Sequence, residues 1–311
     1  MSGTELSRRQ AWVAAARPQT LPAAAAPVIV GVGLAIHDGV AAVAPAVAAF
    51  VGAALIQIGT NFANDYYDAI QGADTDDREG FTRVTQAGLI EPGQVKAAMY
   101  LTFGAAVVVG SYLVYVGGVP ILVIGLLSVI SGIAYTGGPY PLGYHGLGDL
   151  FVFVFFGVIA VAGTYYVQAA AVLAAPLATT IPPGTITLEA VVASLPIAAI
   201  STNILVVNNI RDKAEDETTG KHTLAVRFGY GFSRAEYIGL LAVAYIVPIW
   251  LWLAADFSLG VLLPLVTLPV AIRVAETVRT ETSGAVLNPA LETTGKLLAG
   301  YALLFGVGLA I

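Results

Sequence analysis

The chain has 311 residues, of which 57% are apolar and 11% are charged, and its mean hydropathy is +0.81. Soluble domains carry about 25% charged residues, so this composition predicts an all-α membrane protein with several spans in a single domain, 1–311. The chain contains no cysteine, which excludes disulfides, thiolate metal sites and cysteine nucleophiles. Its net charge of −6 argues against nucleic acid as a partner and leaves the lipid bilayer as its expected surroundings.

Nine apolar segments are long enough, at about 20 residues per span, to cross a bilayer as helices. Prolines lie inside several of them, but membrane helices tolerate proline because neighbouring helices satisfy the freed carbonyl groups. We predict nine transmembrane helices around a central cavity. Their approximate ranges are 12–36, 41–63, 95–116, 119–136, 150–173, 187–209, 234–255, 258–278 and 294–311.

The basic residues predict the orientation of these helices, because Lys and Arg accumulate in cytoplasmic loops. With a cytoplasmic N-terminus and nine alternating spans, all fourteen Lys and Arg residues fall on the cytoplasmic side. The connections on the opposite side, including residues 174–186, contain none. We therefore expect a multi-pass protein of the cell membrane with two cytoplasmic active-site loops, at about 64–95 and 209–233.

The first of these loops follows an apolar helix and carries five aspartates within residues 61–90, NFANDYYDAIQGADTDDREGFTRVTQAGLI. Asn64 and Asp68 are four residues apart and share one face of a helix, which Asp65 extends. Further carboxylates follow from Asp74, Asp76 and Asp77. So many negative charges at a membrane boundary require cations. Mg²⁺ is the simplest candidate, because it binds carboxylate oxygens together with water and phosphate.

A second acidic stretch, NNIRDKAEDETTGKHTLAVR at residues 208–227, repeats this arrangement. Asn208, Asp212 and Asp216 lie at successive turns of a helix and offer a second face of oxygen ligands. Both stretches also contain basic side chains, and a carboxylate-bound metal beside basic groups is typical of a diphosphate site. These basic residues are Arg78, Arg83, Arg211, Lys213, Lys221 and Arg227.

Polar side chains within or beside the spans are candidates for the cavity wall. Those in the spans either line the cavity or form hydrogen bonds between helices, and both roles stay open for Gln57, Gln168 and Asn203. Three tyrosines also surround a Gly-Pro turn on the cytoplasmic side, namely Tyr135, Tyr140 and Tyr144. Interfacial tyrosines are usually belt residues, but ring faces directed into a cavity can stabilise a carbocation.

Three blocks of this sequence resemble the UbiA superfamily of intramembrane aromatic prenyltransferases. They are ARPQTLPAAAAPVIVG, QIGTNFANDYYD with GADTDDREGFTRVTQAGLI, and NNIRDKAEDETTGKHTLAVRFG. Within the superfamily, the blocks are most similar to the branch that prenylates 1,4-dihydroxy-2-naphthoate. Asp68 is followed by Asp74 six residues later, a longer spacing than in many members of the superfamily. The outermost carboxylate of the first motif is therefore Asp74, Asp76 or Asp77.

The resemblance implies Mg²⁺-dependent transfer of a polyprenyl group from an all-trans polyprenyl diphosphate to 1,4-dihydroxy-2-naphthoate. Loss of CO₂ and diphosphate would give demethylmenaquinone. The implied metal ligands are Asn64, Asp65, Asp68, Asp74, Asn208, Asp212 and Asp216. The implied catalytic residues are Asp68, Asp212, Asp216, Arg83 and Lys213. The implied substrate-binding residues are Asn64, Asn208, Lys221, Arg227, Arg211, Tyr135, Tyr140 and Gln57.

Other interpretations stay open. The acidic stretches could be solvated loops that only cap helices and set the topology. An ion-coupled transporter would carry ionisable residues near the bilayer midplane, whereas the charges here gather at cytoplasmic helix ends. Prenyl transfer to another acceptor, such as a hydroxybenzoate, homogentisate, haem or an archaeal glyceryl phosphate lipid, is opposed only by the first-motif spacing and the GKHTLAVRFG block.

Overall fold

The computed structural model of the chain describes residues 7–71 and 84–311, and every regular element among them is a helix, as the composition predicts. The α-helices are α1 (Arg8–Ala16), α2 (Leu21–His37), α3 (Val43–Gln71), α4 (Pro92–Ala134), α5 (Gly148–Phe151), α6 (Ala160–Leu173), α7 (Leu188–Thr219), α8 (Leu224–Ala254), α9 (Leu268–Thr280) and α10 (Gly284–Ala310). A π-helical stretch, Val152–Ile159, joins α5 to α6. Shorter 3₁₀ helices occupy Pro18–Thr20, Leu142–His145 and Leu259–Thr267.

Eight of the helical segments that the structure describes are long and apolar enough to cross a membrane, whereas the sequence predicts nine spans. The difference lies in α4, whose 43 residues would extend about 65 Å, twice the thickness of a bilayer core. Gly118 has non-helical dihedral angles (φ 71°, ψ −155°) and divides α4 into two halves. A Cβ at Gly132 would lie 3.3 Å from Cζ of Phe103, so the halves pack side by side. The nine-span count and the position of the N-terminus stay predictions.

The break in α4 is held by the segment that follows α6. The backbone amide of Val119 donates to the carbonyl oxygen of Ala178 at 2.8 Å, and the amide of Leu177 donates to the carbonyl oxygen of Tyr115 at 2.9 Å. The hydroxyl of Tyr166 donates to the carbonyl oxygen of Gly117 at 2.6 Å. The backbone groups freed by the break are therefore satisfied within the protein, as a membrane interior requires.

Replacing Gly118 by Ala is expected to lower the thermal stability of the purified protein. Gly118 combines a positive φ with an extended ψ, a conformation that is essentially restricted to glycine and costs a residue with a Cβ about 1–3 kcal/mol. The new Cβ would also lie 1.9 Å from the carbonyl oxygen of Ala178, so backbone would have to move. The transition temperature in detergent measures the effect. Gly110→Ala is the matched control, because a Cβ there meets nothing within 4 Å, and equal stability of the two variants would contradict the expectation.

The main hydrophobic core lies between α2, α7, α8 and α10, and α7 is the most buried of the eight spans. Small residues bring α2 and α10 together, since a Cβ at Gly33 would lie 2.2 Å from the carbonyl oxygen of Gly306. Such close approach is how membrane helices gain packing energy in the absence of a hydrophobic driving force. We call this contact between Gly33 and Gly306 the α2–α10 seam. It joins the first long helix of the bundle to the last.

Two of the polar residues predicted within the spans form contacts between elements of the bundle. Asn203 of α7 donates to the carbonyl oxygen of Tyr237 on α8 at 3.1 Å. The side-chain oxygen of Gln168 on α6 accepts from the backbone amide of Ala42 at 3.3 Å. Of the two roles that the sequence leaves open, the structure therefore supports hydrogen bonding between helices for Asn203 and packing against the α2–α3 connection for Gln168.

Candidate active site

The two acidic stretches meet at one end of the bundle, where α3, α4 and α7 end. Tyr135 directly follows α4, and burial of its hydroxyl raises its pKa above the usual value. The negative charges of Asp149, Asp68 and Asp216 raise this pKa further. Nζ of Lys221, in the second stretch, lies 3.9 Å from Oδ1 of Asp68, in the first, so the two stretches meet here. Tyr135, like an ordinary tyrosine, is a neutral phenol at neutral pH.

Asp68 is a buried carboxylate, only 2% exposed, that is contacted from two other parts of the chain. The hydroxyl of Tyr144 donates to its Oδ1 at 2.6 Å. Nζ of Lys221 lies 3.9 Å from the same oxygen and 4.9 Å from the centre of the Tyr144 ring. The structure thus brings Lys221, which belongs to the second acidic stretch, to an aspartate of the first.

The loop that carries Tyr144, residues 136–147, is here called the Gly-Pro loop, and it packs against the turn after α7. The backbone amide of His222 donates to the carbonyl oxygen of Tyr144 at 2.8 Å. Gly146 has φ 70°, and a Cβ there would lie 2.9 Å from the carbonyl oxygen of His222. Nε of Arg227 donates to that same oxygen at 3.0 Å. Tyr140 is exposed and stacks on the ring of His145, so it does not contact Asp68.

The second motif is ordered by a contact with α10. Nε and Nη2 of Arg211 donate to the two carboxylate oxygens of Asp212 at 2.6 and 2.8 Å, a paired geometry that strengthens both bonds. Nη1 of Arg211 donates to Oδ1 of Asn288 at 2.8 Å. Lys213 forms an ion pair with Glu217, one turn further along α7. The structure therefore places Arg211, and not Lys213, against the carboxylate of Asp212.

Asp65 contacts a different part of the chain from Asp68. Its Oδ2 accepts from the backbone amide of Thr85 at 3.2 Å and from the Thr85 hydroxyl at 2.7 Å. Its Oδ1 lies 3.9 Å from Nη2 of Arg17, in the segment between α1 and α2. Gln57 donates to the hydroxyl of Thr20 in that same segment at 2.9 Å. The contacts of Asp65 with Arg17 and of Gln57 with Thr20 attach α3 to the segment between α1 and α2.

Replacing Thr85 by Val is expected to destabilise the protein by about 1.5–3 kcal/mol, the usual contribution of a hydrogen bond to a charged group. The variant would keep the side-chain shape but leave the buried Asp65 carboxylate short of a donor. The thermal transition of the purified protein measures the loss, and Thr85→Ser is expected to restore it.

The matched control for this prediction is Thr102→Val on α4. The Thr102 hydroxyl bonds only to the Ala98 carbonyl, one turn earlier, at 2.7 Å. We expect little change in this variant, because no buried charge loses a donor. A loss of stability in Thr85→Val no larger than that in Thr102→Val would contradict a structural role for the contact between Asp65 and Thr85.

The donor set around Asp68 and the end of α7 fits a magnesium ion. Oδ1 of Asn208 is buried and has no hydrogen-bond partner among the residues that the structure describes. An unpartnered buried amide oxygen costs free energy, which a cation can offset. Within residues 7–71 and 84–311, no three acidic or histidine side chains lie close enough to hold a metal alone. Mg²⁺ commonly binds one or two carboxylates and keeps water and phosphate as its other ligands. The predicted site residues Asp74 and Arg83 lie outside the described residues.

Two contacting residues, Thr85 and Asn288, are absent from the predicted site, and Tyr144 was predicted as a candidate for the cavity wall but not as a partner of Asp68. Tyr144 bonds Asp68, Thr85 bonds Asp65, and Asn288 bonds Arg211. The Gly-Pro turn around Tyr144 is a sequence signal for a loop, but it does not indicate what the loop contacts. Thr85 and Asn288 carry no signal of their own, because tertiary packing alone determines their partners.

Comparison with known proteins places these features in context. Residues 24–286 match the model of the UbiA prenyltransferase family. The 1,4-dihydroxy-2-naphthoate octaprenyltransferase of Mycobacterium tuberculosis is 38% identical to this chain, with 96% of each chain covered. The Escherichia coli enzyme of the same name is 36% identical and covers 100% of this chain and 99% of its own. A solved UbiA homologue from Archaeoglobus fulgidus, bound to GPP and Mg²⁺, has a TM-score of 0.62 at 14% identity, covering 95% of this chain and 99% of that one.

Proposed function

The chain belongs to the UbiA prenyltransferase family, and on that premise we propose that it transfers a polyprenyl group from a polyprenyl diphosphate to 1,4-dihydroxy-2-naphthoate. The product would be demethylmenaquinone, an intermediate in menaquinone biosynthesis, with release of CO₂ and diphosphate. The observation that carries this proposal is the similarity, over nearly the whole chain, to two enzymes named for that acceptor. The contact between Lys221 of the second acidic stretch and Asp68 of the first supports it.

Mg²⁺ bound at this site would supply positive charge to the leaving diphosphate. Its one or two carboxylate ligands and any amide ligand would come from the oxygen donors of the two motifs, namely Asn64, Asp68, Asn208, Asp212 and Asp216. Lys221 lies beside Asp68 and adds a fixed positive charge at the same place. Preorganised charges of this kind lower the barrier because they need no rearrangement when the bond breaks.

In the proposed reaction, the allylic C–O bond breaks and its electron pair leaves with the diphosphate. The electron-rich naphthalene ring forms the new C–C bond, and the pair that held the ring carboxylate returns to the ring as CO₂ departs. Tyr135 is protonated at neutral pH, as a tyrosine of ordinary pKa is, and burial raises its pKa further, so it does not compete as a phenolate nucleophile. The apolar spans exclude water, which would otherwise trap the cation.

We also infer that this end of the bundle faces the cytoplasm. The described residues there include many of the basic side chains, from α1, the turn after α7 and the last turn of α9, and such residues favour the cytoplasmic side. Attachment of a fluorescent reporter to the N-terminus or C-terminus in cells would test the orientation. If a reporter on the N-terminus is accessible only from outside the cell, this end of the bundle faces outward and the inferred orientation is reversed.

The proposed function is tested by incubating the purified protein with an all-trans polyprenyl diphosphate, Mg²⁺ and 1,4-dihydroxy-2-naphthoate, and by measuring prenylated product and CO₂. Parallel reactions contain 4-hydroxybenzoate or homogentisate as acceptor, or EDTA. We expect product and CO₂ in equal amounts with the naphthoate, and none with EDTA. If product forms only with another acceptor, the assigned acceptor is wrong. If product forms with none of the acceptors, the assignment of transferase activity is wrong.

A further inference from the structure

We propose that Tyr144 is a positioning residue that holds Asp68 and Lys221 in one arrangement, the first through its hydroxyl and the second through its ring. The inference deepens the proposed function and rests on it. According to this inference, the Gly-Pro loop joins the two acidic stretches across the proposed diphosphate site.

The hydroxyl of Tyr144 fixes the carboxylate of Asp68. The bond is short, 2.6 Å, and it ends on a side chain that is only 2% exposed. Hydrogen bonds to an ionised acceptor are stronger than neutral ones, and a buried acceptor has little water to replace the lost donor. The phenol therefore restricts which way the oxygens of Asp68 point.

The ring of Tyr144 fixes the ammonium group of Lys221. Nζ lies 4.9 Å from the ring centre and 3.9 Å from Oδ1 of Asp68, and the lysine side chain is only 13% exposed. An ammonium group near an aromatic face is attracted by the negative charge on that face, most strongly where water is scarce. One side chain thus contacts both charged partners, so that the three groups form a single cluster.

The backbone of Tyr144 is attached to the same turn that carries Lys221. The amide of His222, the next residue, donates to the Tyr144 carbonyl oxygen at 2.8 Å. Gly146 permits this close approach, because its φ of 70° and its missing side chain leave room for the His222 carbonyl. Tyr144 is therefore bound to the second stretch by its backbone and to the first by its hydroxyl, and it sets their separation.

Two substitutions separate the two contacts. Tyr144→Phe removes the hydroxyl and keeps the ring, and Tyr144→Leu removes both. The dissociation constant for inorganic pyrophosphate with Mg²⁺, measured by isothermal titration calorimetry in detergent, is the first readout, and KM and kcat with the polyprenyl diphosphate are the second. We expect about tenfold weaker pyrophosphate binding in Tyr144→Phe and a larger loss in Tyr144→Leu.

The role of Lys221 is tested by a double substitution. Lys221→Met alone is expected to weaken pyrophosphate binding, but in the Tyr144→Leu background it should add less than its separate effect, because the two groups act together. Tyr245→Phe is the matched control, since it removes a phenol contact of 2.7 Å to Thr267 in the core. It should lower stability and leave pyrophosphate binding unchanged.

The outcomes separate this inference from the proposed function. Unchanged or tighter pyrophosphate binding in both Tyr144 variants, or additive effects with Lys221→Met, would overturn the positioning role. If the wild-type protein binds pyrophosphate with Mg²⁺ but prenylates no acceptor, the proposed function fails while the binding data still decide the role of Tyr144. Wild-type protein that binds no pyrophosphate would overturn the positioning role, and the absence of product as well would overturn the proposed function.

Discussion

Replacing Asp68 by Asn is expected to reduce the turnover of prenyl transfer by about a hundredfold to a thousandfold, a loss of the size seen when one preorganised charge-stabilising group is removed. Asn keeps the shape of the side chain but removes the charge. Asp68 is buried, and both Tyr144 and Lys221 contact the same one of its oxygens. Neutralising Asp68 removes the negative charge beside Lys221 and removes an anionic ligand from the proposed Mg²⁺ site. The initial rate with 1,4-dihydroxy-2-naphthoate measures the effect.

The control for this variant is Glu292→Gln, which neutralises an exposed carboxylate paired with Lys296 on α10. Its rate should match that of the wild-type protein. Asp212→Asn should lose activity to a similar extent, and the double variant should be little worse than either one alone, because both act on one metal and one leaving group. An Asp68→Asn protein within threefold of the wild-type rate would sink the assignment of Asp68.

Replacing Gly33 by Ala is expected to destabilise the bundle strongly. The added Cβ would lie 2.2 Å from the carbonyl oxygen of Gly306, and the neighbour is backbone that cannot rotate away. Overpacking a core typically costs about 1–3 kcal/mol, and moving a whole helix puts this case at the upper end or beyond. Against a typical total stability of about 5–15 kcal/mol, that loss is large.

The yield of monodisperse protein after extraction into detergent measures this second effect, together with the thermal transition of any protein recovered. Gly300→Ala on α10 is the control, because a Cβ there meets nothing within 4 Å. We expect its yield to equal that of the wild-type protein. Similar yields from Gly33→Ala would mean that α2 and α10 can separate without penalty, contrary to the seam described above.

The sequence predicted the helical fold and both acidic helix ends because those signals are local. Hydropathy identifies spans, and four-residue spacing places Asn64 with Asp68 and Asn208 with Asp212 on helix faces. The break at Gly118 is also visible in the sequence. Hydropathy separates the segments 95–116 and 119–136, where the structure has one helix interrupted at Gly118.

The partners of the charged groups could not be predicted in the same way. The contact of Tyr144 with Asp68 joins residues 76 apart, and periodicity reports only neighbours on one helix. Asp65 and Asp68 are three residues apart, yet one bonds Thr85 and the other Tyr144. Which face of α3 meets which loop depends on how the helices pack, and a single sequence does not contain that information.

The α2–α10 seam also determines the order in which the protein can be completed. Gly306 is synthesised 273 residues after its partner Gly33. At about 5–20 residues per second, the first long helix waits roughly 14 to 55 s in the bilayer before its neighbour arrives. The contact between α2 and α10 therefore forms late in biogenesis. Both aspartate motifs are already synthesised before the bundle that supports them is complete.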